Sequence, residues 1–158
     1  MNYFCAVMEQ FRAKIEEHGN YYEKQGFSPV ASRIMIYLIL HPDGEATFED
    51  IVSYFGVSKS AVSNALKLLS ATKIVTEITK SGARKRYFSS NFKEVFSTEW
   101  AVKGYRETRL ILEDIKKVRK KKDKLSEDLG GIIDFIKLLE VEYPKIYDKA
   151  KKQKPKAK

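Results

Sequence analysis

A short helix, a tight turn, a second helix and a basic β-hairpin follow one another between residues 47 and 88, and this order constrains the fold more than any other feature. The apolar spacing predicts helices over residues 47–55 and 59–69, separated by Gly56-Val57-Ser58. Residues 74–88 hold two strands rich in β-branched and aromatic side chains, with Ser81-Gly82 at the turn. Since the short turn fixes the two helices against each other, we predict a winged helix-turn-helix, mainly α with a small β-hairpin wing.

The second helix presents two different faces. Its apolar residues recur at helical spacing and are expected to pack on the core: Val62, Ala65, Leu66 and Leu69. The opposite face carries short polar side chains and one cation: Ser60, Ser63, Asn64 and Lys67. Short donors and acceptors let a helix enter a major groove, where asparagine pairs with adenine and lysine reaches guanine. The ordinary alternative is a helix pair with a polar outer surface.

The hairpin supplies cations beside that helix. Between residues 80 and 84 it holds two cations and no acid. Arg84 or Arg86 is suited to enter a minor groove or to clamp phosphates, whereas Tyr87 and Phe88 are expected to anchor the wing to the core. The full predicted DNA-binding set is Ser58, Lys59, Ser60, Ser63, Asn64, Lys67, Lys80, Arg84, Lys85 and Arg86.

Positive charge is concentrated rather than spread along the chain. The net charge is +9, yet three blocks alone exceed that value: residues 47–90 carry +4, residues 116–124 carry +6 and residues 149–158 carry +6. The remainder of the chain is therefore acidic. Such blocks are typical of polyanion-binding proteins, although each block taken alone also fits a solvated surface.

Amphipathic helices flank the central segment. Residues 3–24 predict an N-terminal helix, and residues 28–40 predict an almost wholly apolar helix that begins at Ser28-Pro29. After the hairpin, Asn91 and Ser126 are each expected to cap a helix. The predicted organisation is an N-terminal dimerisation helix over 1–27, a DNA-binding domain over 28–90, C-terminal dimerisation helices over 91–148 and a basic disordered tail over 149–158. The apolar stripes exceed what a small winged domain can cover, so we expect a homodimer on a pseudo-palindromic operator.

Other classes of protein find little support in the sequence. The single cysteine, Cys5, excludes an internal disulfide, and the two histidines have no metal-ligand spacing. No phosphate-binding loop or nucleophile motif is present, so we expect neither an enzyme nor a cofactor. The longest apolar run, residues 34–40, is too short to cross a bilayer, and no signal peptide is recognisable. We therefore expect a cytoplasmic protein with no membrane partner.

The central motif resembles the MarR family of winged-helix transcription regulators. Residues 56–69 are similar to that family's turn and recognition helix, and residues 82–88 to its wing. The approach over residues 26–34 resembles the GbsR-like branch. This resemblance implies a homodimer built from the first and the C-terminal helices, contacts of the polar helix face with the major groove, and wing contacts near Lys80, Arg84 and Arg86. The same resemblance implies a regulator of transcription, with repression or activation left open.

Members of that family often respond to a small effector, so we expect one here. Tyr22, Trp100 and Tyr105 are candidate walls of an aromatic cage for a quaternary ammonium ligand, although aromatic residues at helical spacing are more often core. The alternative function is a winged-helix module for protein interaction or for nonspecific polyanion binding. Preference for one DNA sequence over random DNA discriminates the two.

Overall fold

A computed structural model describes residues 3–82 and 84–153, which form two compact units. The first unit ends at Val95 and the second begins at Phe96. The first contains α1 (Tyr3–Glu9), α2 (Arg12–Lys24), α3 (Pro29–Leu40), β1 (Glu45–Thr47), α4 (Phe48–Phe55), α5 (Lys59–Ala71), β2 (Val75–Thr79), β3 (Arg86–Ser90) and α6 (Phe92–Val95). The second contains α7 (Thr98–Arg119) and α8 (Lys124–Lys152). The predicted fold class is confirmed: the protein is mainly helical, with a small antiparallel sheet of the winged-helix type.

The core of the first unit is organised around α3. Ser28 caps this helix by accepting a hydrogen bond from the Ala31 amide at 3.2 Å, and Pro29 occupies its first turn, as the sequence predicts. Ile34, Tyr37 and Leu38 are fully buried. A helix that is apolar on nearly all sides must be covered on nearly all sides, and here α2, α5 and β3 pack against it.

Arg33 joins α2 to α3. Its guanidinium donates to the Glu16 carboxylate at 2.7 Å, to the Glu23 carboxylate at 2.9 Å and to the Asn20 side-chain carbonyl at 2.7 Å. The carboxylates of Glu23 and Glu16 raise the pKa of Arg33. A Cβ at Gly19 would lie 2.7 Å from the Arg33 Cγ, so this position of α2 accommodates only glycine without a shift of the arginine.

The sheet has three strands in the order β1-β3-β2, all antiparallel. Ala46 of β1 and Glu77 of β2 both pair with Phe88 of β3. The hairpin was predicted, but its strands lie one or two residues later than expected. Strand β1 was not predicted, because three residues are too few to show an alternating pattern.

Several predicted helix boundaries were wrong. The N-terminal helix is broken into α1 and α2, where the Phe11 amide bonds the Met8 carbonyl at 3.0 Å. Asn91 does not begin a long helix: its amide extends the hairpin by donating to the Ile74 carbonyl at 2.8 Å, and Ser97 caps α7 instead. No glycine or proline marks the break between α1 and α2, so the periodicity alone could not reveal it.

The cap and the end of the last helix also differ from expectation. Asp123, not Ser126, caps α8, because its carboxylate accepts the Ser126 amide at 3.0 Å. The helix continues through Pro144 to Lys152, so residues 149–152 are helical rather than disordered. Lysines in the last turn are favoured by the negative end of the helix dipole. Residues 154–158 of the predicted tail lie outside the described residues.

The second unit is an antiparallel helical hairpin. Arg109 of α7 pairs with Glu140 of α8 at 2.6 Å, and the Tyr105 ring meets the Tyr143 ring edge-on at 5.7 Å. Ile133 and Ile136 are its buried apolar side chains among the described residues. Many large apolar side chains of this unit remain exposed: Phe96, Leu110, Ile111, Ile115, Val118, Leu125, Ile132, Phe135, Leu138, Val141 and Ile146.

The first compact unit contains more of the chain than the predicted DNA-binding domain, whose limits of 28–90 stay a prediction. The N-terminal helices and α6 belong to the same compact unit as the winged domain. Tyr54 of α4 donates its hydroxyl to the Met8 carbonyl at 3.3 Å, and the Arg12 guanidinium lies 4.4 Å from the centre of the Tyr54 ring. These contacts attach the N-terminal segment to the helix that precedes the turn.

Candidate nucleic-acid interface

Helix α5 exposes the predicted polar face and buries the opposite one. Ser58 caps the helix by accepting the Ala61 amide at 3.2 Å. The predicted apolar face is buried, with Val62 and Leu69 fully so and Ala65 and Leu66 nearly so. Asn64 and Lys67 are exposed, and Ser63 is half-buried. The side chains expected to read DNA therefore lie on the solvent side of a helix whose other side is fixed in the core.

The turn before α5 sets the start of this helix. Gly56 has φ of 62°, a left-handed conformation that disfavours any residue with a Cβ. Its amide bonds the Val52 carbonyl at 3.0 Å and so closes α4. At the other end of the turn, the hydroxyls of Ser58 and Ser60 lie 3.0 Å apart. The side chains of Ser58 and Ser60 are thus held by the hydrogen bond between them as well as by the backbone.

A cleft separates α5 from the wing. It has a volume of about 280 Å³ and is lined by Phe48, Ser63, Leu66, Lys67, Ser70, Glu77, Arg86 and Phe88. Arg86 places its guanidinium 5.0 Å from the centre of the Phe48 ring and 5.8 Å from that of Phe88. Contacts with two aromatic rings hold a guanidinium in place without neutralising its charge. The structure therefore brings Ser63, Lys67 and Arg86 to the same cleft.

One acid in this cleft was missed by the sequence analysis. Glu77 of β2 lies opposite Phe88 of β3, on the same face of the sheet as Arg86. The alternating pattern of β2 places it there, but only the strand register shows that it faces α5. A carboxylate beside a polyanion partner is unfavourable, so Glu77 limits how closely a phosphate approaches this side of the cleft.

Lys80 is engaged within the sheet. Its ammonium forms an ion pair with the Glu45 carboxylate of β1 and lies 4.3 Å from the centre of the Tyr87 ring. The hydrogen bond to Glu45 raises the pKa of Lys80. This lysine was predicted to bind DNA from the wing. In the structure its charge is compensated by Glu45 of a strand that the sequence did not reveal.

The other predicted cations are solvent-facing. Arg84 and Lys85 lie exposed in the segment between β2 and β3, and Lys59 is exposed at the first position of α5. The predicted set therefore has four parts: the start of α5, its polar face together with Arg86, the exposed pair at residues 84–85, and Lys80, which is paired with Glu45.

The candidate effector residues lie in both units, and within each unit the tyrosines among them contact other aromatic residues. Tyr22, in the first unit, packs edge-on against Tyr21 at 5.2 Å and Phe27 at 5.9 Å. In the second unit, Tyr105 meets Tyr143, and Trp100 is half-buried on α7. Each tyrosine is thus engaged with aromatic neighbours of its own unit.

No group of three or more metal-ligating side chains is found among the described residues. Of the two histidines, His18 is exposed, whereas His41 is buried at the end of α3 and its ring lies 5.6 Å from that of Tyr37. Burial lowers the pKa of His41. In the part of the chain that the structure describes, no helix is both long enough and apolar enough to span a membrane.

Residues 25–86 match the MarR family. The matched segment runs from the end of α2 to the first residue of β3, so it contains the turn, all of α5 and the predicted wing cations. The MarR match leaves α7 and α8 outside it. No curated protein matches the chain.

Solved structures resemble the chain over most of its length. A crystal structure of a transcriptional regulator covers 91% of this chain and 99% of its own, at 14% identity and a TM-score of 0.79. A transcriptional regulator from Thermotoga maritima covers 90% and 95%, at 18% identity and a TM-score of 0.43. A heme sensor protein in complex with heme and carbon monoxide covers 87% and 90%, at 13% identity and a TM-score of 0.40. The first of these likenesses supports the fold.

Proposed function

We propose that the protein is a sequence-specific, DNA-binding regulator of transcription. The observation that carries this proposal is the orientation of α5, which exposes Asn64 and Lys67. Ser63 and Lys67 of this helix line the same cleft as Arg86 of the wing. The match of this segment with the MarR family supports the same function and points to a regulator that is not an enzyme.

In the proposed mode of binding, the helix contacts base edges and the wing contacts phosphates. Helix α5 enters the major groove and contacts base edges through Asn64 and Lys67. Arg84 and Lys85 bind phosphates of the flanking backbone, which adds affinity but carries no sequence information. Arg86, held between two rings beside α5, binds the phosphate nearest to the cleft. Lys80 contributes less, because Glu45 already compensates its charge.

A homodimer is the proposed active form. The helical hairpin of α7 and α8 leaves exposed side chains such as Ile111 (61%), Val118 (70%) and Phe135 (59%) within the chain. A helical hairpin with this many exposed large apolar side chains is typical of an interface in soluble proteins. A two-fold partner would cover it. Two copies of α5 about 34 Å apart would meet major grooves one helical turn of DNA apart.

Selection of bound sequences from a random DNA pool tests the function and the dimer together. We expect a palindromic consensus with half-sites one helical turn apart, bound roughly a thousandfold or more tightly than random DNA. Recovery of unrelated sequences with equal affinities would instead favour the alternative, a nonspecific polyanion-binding module. Light scattering during gel filtration gives the oligomeric state directly, and a monomeric mass at micromolar concentration would contradict the dimer.

A small effector and the GbsR-like branch remain part of the proposal. They rest on the resemblance of residues 26–34 and on the aromatic content of α2 and α7. Calorimetric titration with choline and glycine betaine tests an aromatic site for quaternary ammonium ligands. Absence of heat together with an unchanged affinity for the selected operator would exclude both ligands as effectors.

A further inference from the structure

The connection between α7 and α8 concentrates cations that no acid neutralises. We name this group the lysine tip: Lys116, Lys117, Lys120, Lys121, Lys122 and Lys124. All of them are exposed. Within the described residues none of these lysines forms an ion pair with a carboxylate, and the Asp123 carboxylate is paired with Arg119 at 2.5 Å.

Several cations of α7 and α8 outside the tip have carboxylate partners, and we call these the stem cations. Lys103 pairs with Glu107 at 3.9 Å, Lys137 with Asp134 at 3.3 Å and Lys145 with Glu142 at 2.7 Å. Arg109 lies between Glu113 and Glu140. Charge is therefore compensated along the stem and uncompensated at the tip. Six like charges within nine residues repel one another, so this arrangement lowers the stability of the isolated unit unless an external anion is bound.

Hydrogen bonds and side-chain contacts also fix the local structure of the lysine tip. Asp123 caps α8, and the Ser126 hydroxyl donates to the Lys121 carbonyl at 2.5 Å, so the short connection is hydrogen-bonded to the first turn of α8. Lys116 extends across α8, since a Cβ at Gly130 would lie 2.6 Å from its Nζ. A cleft of about 480 Å³ lies between the lysines and the first turn of α8. Four lysines outnumber two acids on its wall, which is lined by Lys116, Lys120, Lys121, Lys122, Asp123, Ser126 and Glu127.

We propose that the lysine tip is a second DNA contact, which binds duplex phosphates without regard to sequence. Lysine binds phosphate as a point charge and needs no fixed bond angle. Residues 115–128 contain no aromatic side chain to stack on unpaired bases, which disfavours single-stranded nucleic acid. They also lack the aromatic anchors of membrane-surface helices. The inference rests on the proposed function only in its choice of DNA as the polyanion.

A charge-matched pair of variants tests the tip in the full-length protein. The tip variant is Lys120→Gln, Lys121→Gln and Lys122→Gln; the stem control is Lys103→Gln, Lys137→Gln and Lys145→Gln. Both lose three exposed charges from the same unit. Affinity for a random-sequence duplex is measured from low to moderate salt. Since each phosphate contact contributes about 0.9 to the logarithmic salt slope, the tip variant should lose roughly 2–3 from the slope per protomer. The control should change far less.

Three outcomes would overturn the inference. Equal slope losses in the two variants would mean that net charge alone is responsible. An unchanged salt slope in the tip variant would show that the tip does not contact DNA phosphates. The tip variant could instead lose binding to vesicles containing phosphatidylserine while the salt slope of its DNA binding stays unchanged. That result would mean that the tip binds membrane surfaces and not DNA. Lys→Arg replacement at the same three positions should restore the DNA slope, and circular dichroism checks that every variant is folded.

The same measurements separate this inference from the proposed function. Neutralising the tip should weaken binding to the selected operator and to random DNA by the same factor, so their affinity ratio stays constant. If the protein has no preferred sequence, the proposed function fails, yet a reduced slope in the tip variant would still support the tip as a phosphate contact.

Discussion

Replacement of Asn64 by alanine separates DNA reading from folding, because the side chain is exposed on α5 and the structure assigns no packing role to it. Alanine is the better helix former by about half a kcal/mol, so the free energy of unfolding should be unchanged or slightly higher. Loss of a bidentate contact with a base should cost about 1–3 kcal/mol in binding to the operator. That range corresponds to a weakening of about 5- to 150-fold.

Fluorescence anisotropy with the selected operator, with operators changed at single positions and with random duplex gives the decisive comparison. The variant should lose affinity for the operator and lose discrimination at one base pair of each half-site, while its binding to random DNA stays within about twofold. Ser53→Ala, at an exposed position of α4, is the matched control and should change none of these values. Equal weakening on operator and random DNA would refute the assignment of Asn64 to base reading.

Three further predictions concern the wing, the ion pairs between α2 and α3, and the buried histidine. Arg84→Ala should weaken operator and random DNA about equally and reduce the salt slope by about 1; a change in base preference would contradict a phosphate role. Arg33→Met should lower the free energy of unfolding by about 1–2 kcal/mol, since it leaves Glu16 and Glu23 without their partner, and urea denaturation measures this. Burial lowers the pKa of His41, so the unfolded chain binds the extra proton and stability should fall as pH drops below about 6.5. The melting temperature of the wild type should therefore drop more between pH 7.5 and 5.5 than that of His41→Phe, and parallel curves would exclude this group.

The parts of the site that depend on local sequence could be predicted. Ser58 as the cap of α5, the buried stripe through Val62 and Leu69, and the exposed Asn64 all follow from helical spacing and capping preferences within one segment. The left-handed turn at Gly56 is similarly local. Each of these features is determined by residues within about two helical turns of one another, so a single sequence contains the information.

The features that were missed depend on residues far apart in the chain. Glu45 compensates Lys80 only because β1 pairs with β3, and a three-residue strand leaves no periodic signal. Asp123 and Ser126 are both good caps, and which of them begins α8 depends on the geometry of the connection from α7. The break between α1 and α2 likewise accompanies the contacts of Arg12 and Met8 with Tyr54.

The helix and the wing of the proposed interface depend on different parts of the structure. The side chains of α5 that are proposed to read bases depend on local structure, so their arrangement persists wherever that helix and its cap form. The wing cations depend on the sheet: β1 decides whether Lys80 is available, and the rings of Phe48 and Phe88 decide where Arg86 lies. Sequence preference and general affinity are thus supported by different parts of the first unit. A substitution that disturbs β1 should therefore change the affinity for the DNA backbone more than it changes the base preference.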